Sequence, residues 1–300
     1  MLGTPTESHL TFSQLRHELV VLFKLRVVSL LLTAAAAGAF VAARGWPGWG
    51  NLAILLLAGL VNAGGASALN EYLERDKDAL MKRTRKRPLV SGAFGGATWV
   101  PAVGIGMILA PSLLLLPFNP MLALFLFLGA FIYVVIYTIW LKPRTVLNIV
   151  IGGAAGSCAV LSGSAAINGG AAWADGGALL LALLVFLWTP IHFWSLALVY
   201  REDYARAGVP MLPVRAAPRR AAFWGLIHGL GAGISALALG LAAGLGLVYL
   251  APVAVSTAVL WGLGIALVLD PSKPRARRLF HASNFYLLIV LVAVFVAVLL

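Results

Sequence analysis

Asn70, Glu74 and Asp78 stand four residues apart where a long apolar run gives way to polar sequence. If the helix persists through them, their side chains line one face over about 12 Å. Carboxylates stacked at this spacing repel, by about 0.2–0.5 kcal/mol per pair, and a cation between them reverses the sign. Magnesium suits such a set, because it is a hard ion that bridges one or two carboxylates to a substrate phosphate. Directly downstream come Lys82, Arg83, Arg85, Lys86 and Arg87, which can meet the remaining phosphate charge, arginine best of all through its planar fork. Together these residues describe a site for a diphosphate at a membrane surface. A solvated loop touching anionic lipid headgroups is the plainer alternative, and the cluster alone does not decide between the two.

The elements that must position this cluster are membrane spans. Apolar residues make up 61% of the chain and charged residues only 11%, with a mean hydropathy of +0.97. A water-exposed surface needs roughly a quarter of the residues charged. Nine segments approach the ~20 apolar residues that cross a bilayer: 27–43, 52–70, 98–116, 121–140, 147–167, 177–199, 221–242, 246–269 and 280–300. They are continuously apolar rather than alternating, which excludes a transmembrane barrel. The expected fold is therefore an all-α, polytopic bundle of nine transmembrane helices over residues 26–300, preceded by a cytoplasmic segment, 1–25. Glu7, His9, His17 and Glu18 argue against a cleavable leader, and residues 10–24 are expected to form a short helix on the membrane surface.

With nine spans, 21 of the 22 Lys and Arg residues fall on one side, and only Arg44 falls on the other. This asymmetry places the N-terminus in the cytoplasm and the C-terminus outside. It also explains the net charge of +12 without a nucleic-acid partner. Nine of the ten acids share the basic side, Asp175 being the exception. The positive-inside rule does not demand that; pairing with the bases is the simplest cause. Cys158, the single cysteine, lies inside a span and reads as a buried structural thiol.

A second polar cluster closes the sixth span. Trp188-Thr189-Pro190-Ile191-His192-Phe193-Trp194 puts a helix-disturbing proline and an ionisable histidine in apolar sequence, and the histidine is a functional candidate by default. Tyr200-Arg201-Glu202-Asp203-Tyr204 follows, then a run from Gly208 to Pro213. Lys142 and Arg144, on the same side, either close a phosphate site or anchor span ends. Gly152-Gly153-Ala154-Ala155-Gly156 favours close helix packing, or room for a flat ligand. His228 and His281 read as interfacial packing.

These strings resemble the UbiA superfamily of intramembrane prenyltransferases, and within it the branch that farnesylates haem. Asn70, Glu74 and Asp78 match its N-x-x-x-D-x-x-x-D pattern, with Glu in place of the first Asp. More discriminating are Met81-x-Arg83-Thr84-x-x-Arg87-Pro88-Leu89 and the Thr189-to-Trp194 string. Lys24-x-Arg26-Val27-Val28-Ser29, Tyr137-Thr138-x-Trp140-Leu141-Lys142 and Asn148-Ile149-Val150-Ile151-Gly152-Gly153 add to the likeness, which covers roughly residues 20–290. The chain departs from the pattern at Leu25, Ala159-Val160, Ser164 and Ile191, where the branch usually has Pro, Pro-Pro, Trp and Pro.

The resemblance implies transfer of a farnesyl group from farnesyl diphosphate to a vinyl group of haem B, giving haem O for terminal oxidases. It implies Mg²⁺ held with diphosphate by Asn70, Glu74, Asp78 and Asp203. Arg26, Arg83, Arg87, Lys142, Arg144, Asn148, His192 and Tyr204 are then expected to contact substrate. Haem A synthase or a terminal oxidase are the assembly partners it suggests, in a bacterial inner membrane. A relative with a different aromatic or tetrapyrrole acceptor would share the carboxylates but not the haem-type strings. A transporter or lipid-binding protein would use the acids only to pair with the arginines.

Overall fold

A computed structural model of the chain describes residues 11–94 and 96–300; Glu7 and His9 lie outside the described residues. Among these residues every regular element is helical. A short helix, α1 (Phe12–Leu22), opens on a capping box in which Thr11 and Gln14 satisfy each other's backbone N–H groups. Lys24, in the left-handed conformation, then turns the chain into α2 (Leu25–Ala43). There follow α3 (Trp49–Leu80), α4 (Pro88–Ser91), α5 (Val100–Leu115), α6 (Pro120–Phe131), α7 (Asn148–Gly152), α8 (Ala154–Asn168) and α9 (Gly176–Val199). The chain ends with α10 (Arg201–Arg206), α11 (Leu212–Arg215), α12 (Pro218–Ala242), α13 (Gly246–Leu269) and α14 (Lys273–Leu299).

Nine apolar helical segments carry the bundle, as the hydropathy predicts. Eight are long enough to cross a bilayer, and α5, with 16 residues, is the shorter ninth. The boundaries differ from the sequence expectation where local chemistry intervenes. At 32 residues, α3 is about 48 Å long, well beyond the ~30 Å hydrocarbon core, and its polar last turns continue the same helix. Instead of remaining α-helical, the fourth span widens into a π-helix from Ile132 to Leu141. The fifth breaks at Gly153 into α7 and α8.

Helix α9 runs through the middle, packed against α12, α14, α8, α2 and α7. Small residues let the backbones approach closely, which is how helices associate where lipid is as apolar as the side chains. A Cβ on Gly163 of α8 would lie 1.9 Å from the Ala35 carbonyl oxygen of α2, and one on Gly38 of α2 would lie 2.2 Å from the Val160 carbonyl oxygen of α8. Val160 and Ser164, two of the family departures, are fully buried in this contact region. Ile191, a third, fills space left by Gly229, where a Cβ would meet its Cδ1 at 2.4 Å.

Gly163→Ala is expected to destabilise the protein by about 1–3 kcal/mol, seen as a lower Tm in detergent. Gly106→Ala, with nothing within 4 Å of the added methyl, should leave the Tm in place.

Candidate active site

The polar last turns of α3 bury their acids. Asn70, Glu71, Glu74 and Asp78 are all at most 6% exposed. A carboxylate so placed is tolerated only with a counter-charge and hydrogen bonds, and each finds a different supplier. Lys142, just past the π-helix, reaches Glu74 with Nζ at 2.5 Å from Oε1 and 2.7 Å from Oε2. Arg87, from the loop after α3, sets Nη1 2.5 Å from Asp78 Oδ2. The Thr84 hydroxyl donates to the Asp78 carbonyl at 3.0 Å and holds that loop down. The backbone N–H of Leu89 donates to Glu71 Oε1 at 3.2 Å, while Glu71 Oε2 has no partner among the described residues.

Asn70 sits at the centre of the network. Its amide donates to Glu74 Oε2 at 3.0 Å and to Thr138 Oγ1 at 2.9 Å, and its carbonyl oxygen accepts from Lys24 Nζ. Lys24 also donates to the Tyr133 hydroxyl at 3.1 Å. The π-helix makes this possible. Thr138 Oγ1 donates to the Tyr133 carbonyl at 2.8 Å and Lys142 N to the Tyr137 carbonyl at 2.8 Å, both five residues back. That wider turn brings Tyr133, Thr138 and Lys142 onto the α3 face together, a recurrent use of π-helical segments.

Burial pushes the Lys24 ammonium down to about 7, with repulsion from Arg87 adding to it. Burial also works against Lys142 and Arg87, but Glu74 outweighs it at Lys142 and Asp78 at Arg87, so both are held firmly protonated. The site therefore carries nearly matched charge: two carboxylates in ion pairs, a third carboxylate with a free oxygen, and a lysine whose charge a nearby anion would strengthen.

The second cluster lies alongside. Met81, Ile149, Trp194, Tyr204, Val209 and Met211 form one buried apolar cluster joining the ends of α3, α7, α9 and α10. Arg83 spans the seam, its guanidinium 5.8 Å from the centre of the Tyr200 ring. Asp203 is 5% exposed and pairs with Arg206. Asn148 is fully buried; its amide donates to the Thr145 carbonyl at 2.6 Å and its own oxygen is unpartnered among the described residues. Arg144 is exposed and donates to the carbonyls of Ile139 and Trp140, both at 2.9 Å, closing the end of the π-helix. Arg26 is exposed and makes no side-chain hydrogen bond or ion pair among the described residues. In its motif, Lys24 is the residue that enters the site. The left-handed turn at Lys24 decides this, and spacing alone does not reveal it. His192 lies deeper in α9, stacked on Trp188.

Among the described residues no three His, Cys, Asp or Glu side chains converge as a ready-made metal cage. The donor set still fits Mg²⁺, whose sites combine one or two carboxylates with waters and substrate phosphates instead of an all-protein shell.

The chain matches the model of the UbiA prenyltransferase family over residues 30–298 and belongs to that family. It is an intramembrane prenyltransferase. It is 44% identical over 251 residues to protoheme IX farnesyltransferase 1 of Paramagnetospirillum magneticum, covering 81% of this chain and 85% of that one. It is also 39% identical to the protoheme IX farnesyltransferase of Metallosphaera sedula, covering 91% and 93%. Its fold is that of a UbiA homologue from Aeropyrum pernix, with a TM-score of 0.72 at 22% identity over 90% of this chain and 98% of the other. A UbiA homologue from Archaeoglobus fulgidus bound to DMAPP and Mg²⁺ superposes with a TM-score of 0.64 at 16% identity, over 92% and 99%.

Lys24→Met is expected to raise the KM for the prenyl diphosphate about tenfold, the loss of one charge-assisted hydrogen bond. Steady-state kinetics check this, with Arg26→Gln staying within about twofold as the control.

Proposed function

We propose that the chain transfers a farnesyl group from farnesyl diphosphate to a vinyl group of haem B, producing haem O for terminal oxidases. The observation that carries this reading is the α3 face itself: Asn70, Glu74 and Asp78 are each held by a base from a separate segment, Lys24, Lys142 and Arg87. The haem acceptor follows from the protoheme IX farnesyltransferases that the chain resembles over most of its length.

Asn70, Glu74 and Asp78, with Asp203 from the neighbouring helix, would hold Mg²⁺ together with the diphosphate. Bound there, the ion would neutralise charge on the leaving group. When Glu74 and Asp78 let go of their partners, Lys142 and Arg87 become free to turn to phosphate oxygens. Lys24 and Arg83 complete the cationic rim. Once turned to the diphosphate in the bound complex, these donors act on charge that builds as the allylic C–O bond breaks. The terminal vinyl carbon then bonds to C1 of the farnesyl group, and diphosphate leaves with the bonding pair. The cation left on the haem side takes up water and loses a proton, giving the hydroxyethyl product. Arg144 acts indirectly, by closing the π-helix that presents Lys142. Asn148 offers its unpartnered oxygen and Tyr204 its ring at the acceptor side. The basic ends face the cytoplasm of a bacterial inner membrane, with the N-terminus inside and lipid around the spans. Haem A synthase or a terminal oxidase would receive the product.

Purified protein given haem B, farnesyl diphosphate and Mg²⁺ should form haem O, detected by mass spectrometry. Asp78→Asn, assayed below its own Tm, should lower the rate by about 10²–10³-fold. Folded wild-type protein that forms no haem O, or an Asp78→Asn variant of unchanged rate, would contradict the reading.

A further inference from the structure

The start of α14 gathers bases around a cavity. Lys273 Nζ lies 2.8 Å from Glu202 Oε1 of α10, and Arg275 Nε lies 3.4 Å from Asp270 Oδ2, so the first two bases each have an acid. Arg277 and Arg278, the next along the helix, are exposed and make no side-chain hydrogen bond or ion pair among the described residues. With Lys273, Pro274 and His281 they line an open cavity of about 320 Å³, and no acid lines it. That volume is at the small end of the range for ligand sites.

A surplus of lysine and arginine at one end of the spans follows from the positive-inside rule. The rule does not require bases to converge on one cavity, nor to stand at the head of a lipid-facing stripe, and these do both. Arg278, His281, Phe285, Leu288, Val292 and Val296 follow one another at intervals of three or four residues, which places them on one face of α14. All six are exposed, while Leu279, Ser283, Tyr286 and Val290 on the opposite face are buried in the bundle. From His281 to Val292 the exposed face runs about 17 Å, close to the depth of one leaflet of a ~30 Å hydrocarbon core. Basic cavity and apolar stripe thus form one continuous amphiphilic surface.

A ligand that matches it carries a phosphate of net negative charge on long apolar chains. A zwitterionic lipid has the phosphate and the chains, but its own ammonium already answers that phosphate. A free phosphate satisfies the guanidiniums and leaves the stripe unused. We propose that this face of α14 binds an anionic glycerophospholipid, with its phosphate among Arg277, Arg278 and His281 and an acyl chain along Phe285, Leu288 and Val292. The planar forks of the arginines suit phosphate oxygens, and His281 adds a ring N–H. Lys273, paired with Glu202, closes the side of the cavity toward α10. The site uses none of the residues of the α3 face, so it stands independently of the haem-farnesylating reading.

Native mass spectrometry of the full-length protein released from a neutral detergent reads the affinity of each probe in turn: phosphatidylglycerol, phosphatidylcholine with the same chains, and glycerol phosphate. Wild type should bind its first phosphatidylglycerol at least about tenfold tighter than phosphatidylcholine, and at least about tenfold tighter than glycerol phosphate. Arg277→Gln/Arg278→Gln should bring the two lipids to equal affinity at an unchanged Tm. Arg219→Gln/Arg220→Gln, which removes the same charge from the exposed start of α12, should keep the preference. A wild type that does not distinguish the two lipids overturns the proposal, as does a preference that survives in the Arg277/Arg278 variant. Equal loss in the Arg219/Arg220 variant assigns the effect to general surface charge and overturns the site. Glycerol phosphate bound as tightly as phosphatidylglycerol overturns the lipid in favour of a free phosphate.

Discussion

Everything at the basic end of this bundle follows from carboxylates buried on one face of α3. Glu74 and Asp78 are each about 95% shielded, and neither can stay charged there alone. The fold answers by bringing cations from distant parts of the chain. Lys142 arrives from the end of the π-helix, 68 residues beyond Glu74, Lys24 from the turn between α1 and α2, and Arg87 from the loop that α3 itself begins. Each donor dictates a structural choice: a left-handed residue, a widened helix, a loop pinned by Thr84 and Leu89.

That solution also makes a catalyst. Buried ion pairs contribute little net stability, because desolvation offsets most of the attraction. The pairs are therefore held in place but exchangeable. A ligand that supplies positive charge to the carboxylates and negative charge to the bases satisfies the same groups with new partners. On the proposed reading, Mg²⁺ and a diphosphate together would do this, and neither would do it alone. The neighbouring apolar cluster around Met81, Tyr204 and Met211 keeps the second acidic helix end in register with the first.

The bundle was largely legible in the sequence, since hydropathy marks apolar helices directly. So was the carboxylate face, because a four-residue spacing is a property of one helix. What was not legible is whatever depends on backbone detail or on contacts between helices. The sequence Ile132 to Leu141 carries no mark of π-helical winding, yet that winding aligns Tyr133, Thr138 and Lys142. Lys24 and Arg26 are near-equivalent as text, and only the turn at Lys24 separates a half-buried donor from an exposed one. The bond between His192 and Ser283 joins residues 91 apart, beyond the reach of any local pattern.

On the proposed mechanism, the carboxylates and bases of the α3 face exchange partners only when metal and diphosphate arrive together. Calorimetric binding of farnesyl diphosphate, with and without saturating Mg²⁺, tests it directly. Mg²⁺ is predicted to tighten diphosphate binding by at least about tenfold, and the diphosphate to tighten Mg²⁺ binding by the same factor, as linkage requires. In a Glu74→Gln/Asp78→Asn variant that coupling should vanish. Equal affinities with and without Mg²⁺ in the wild-type protein would contradict the account.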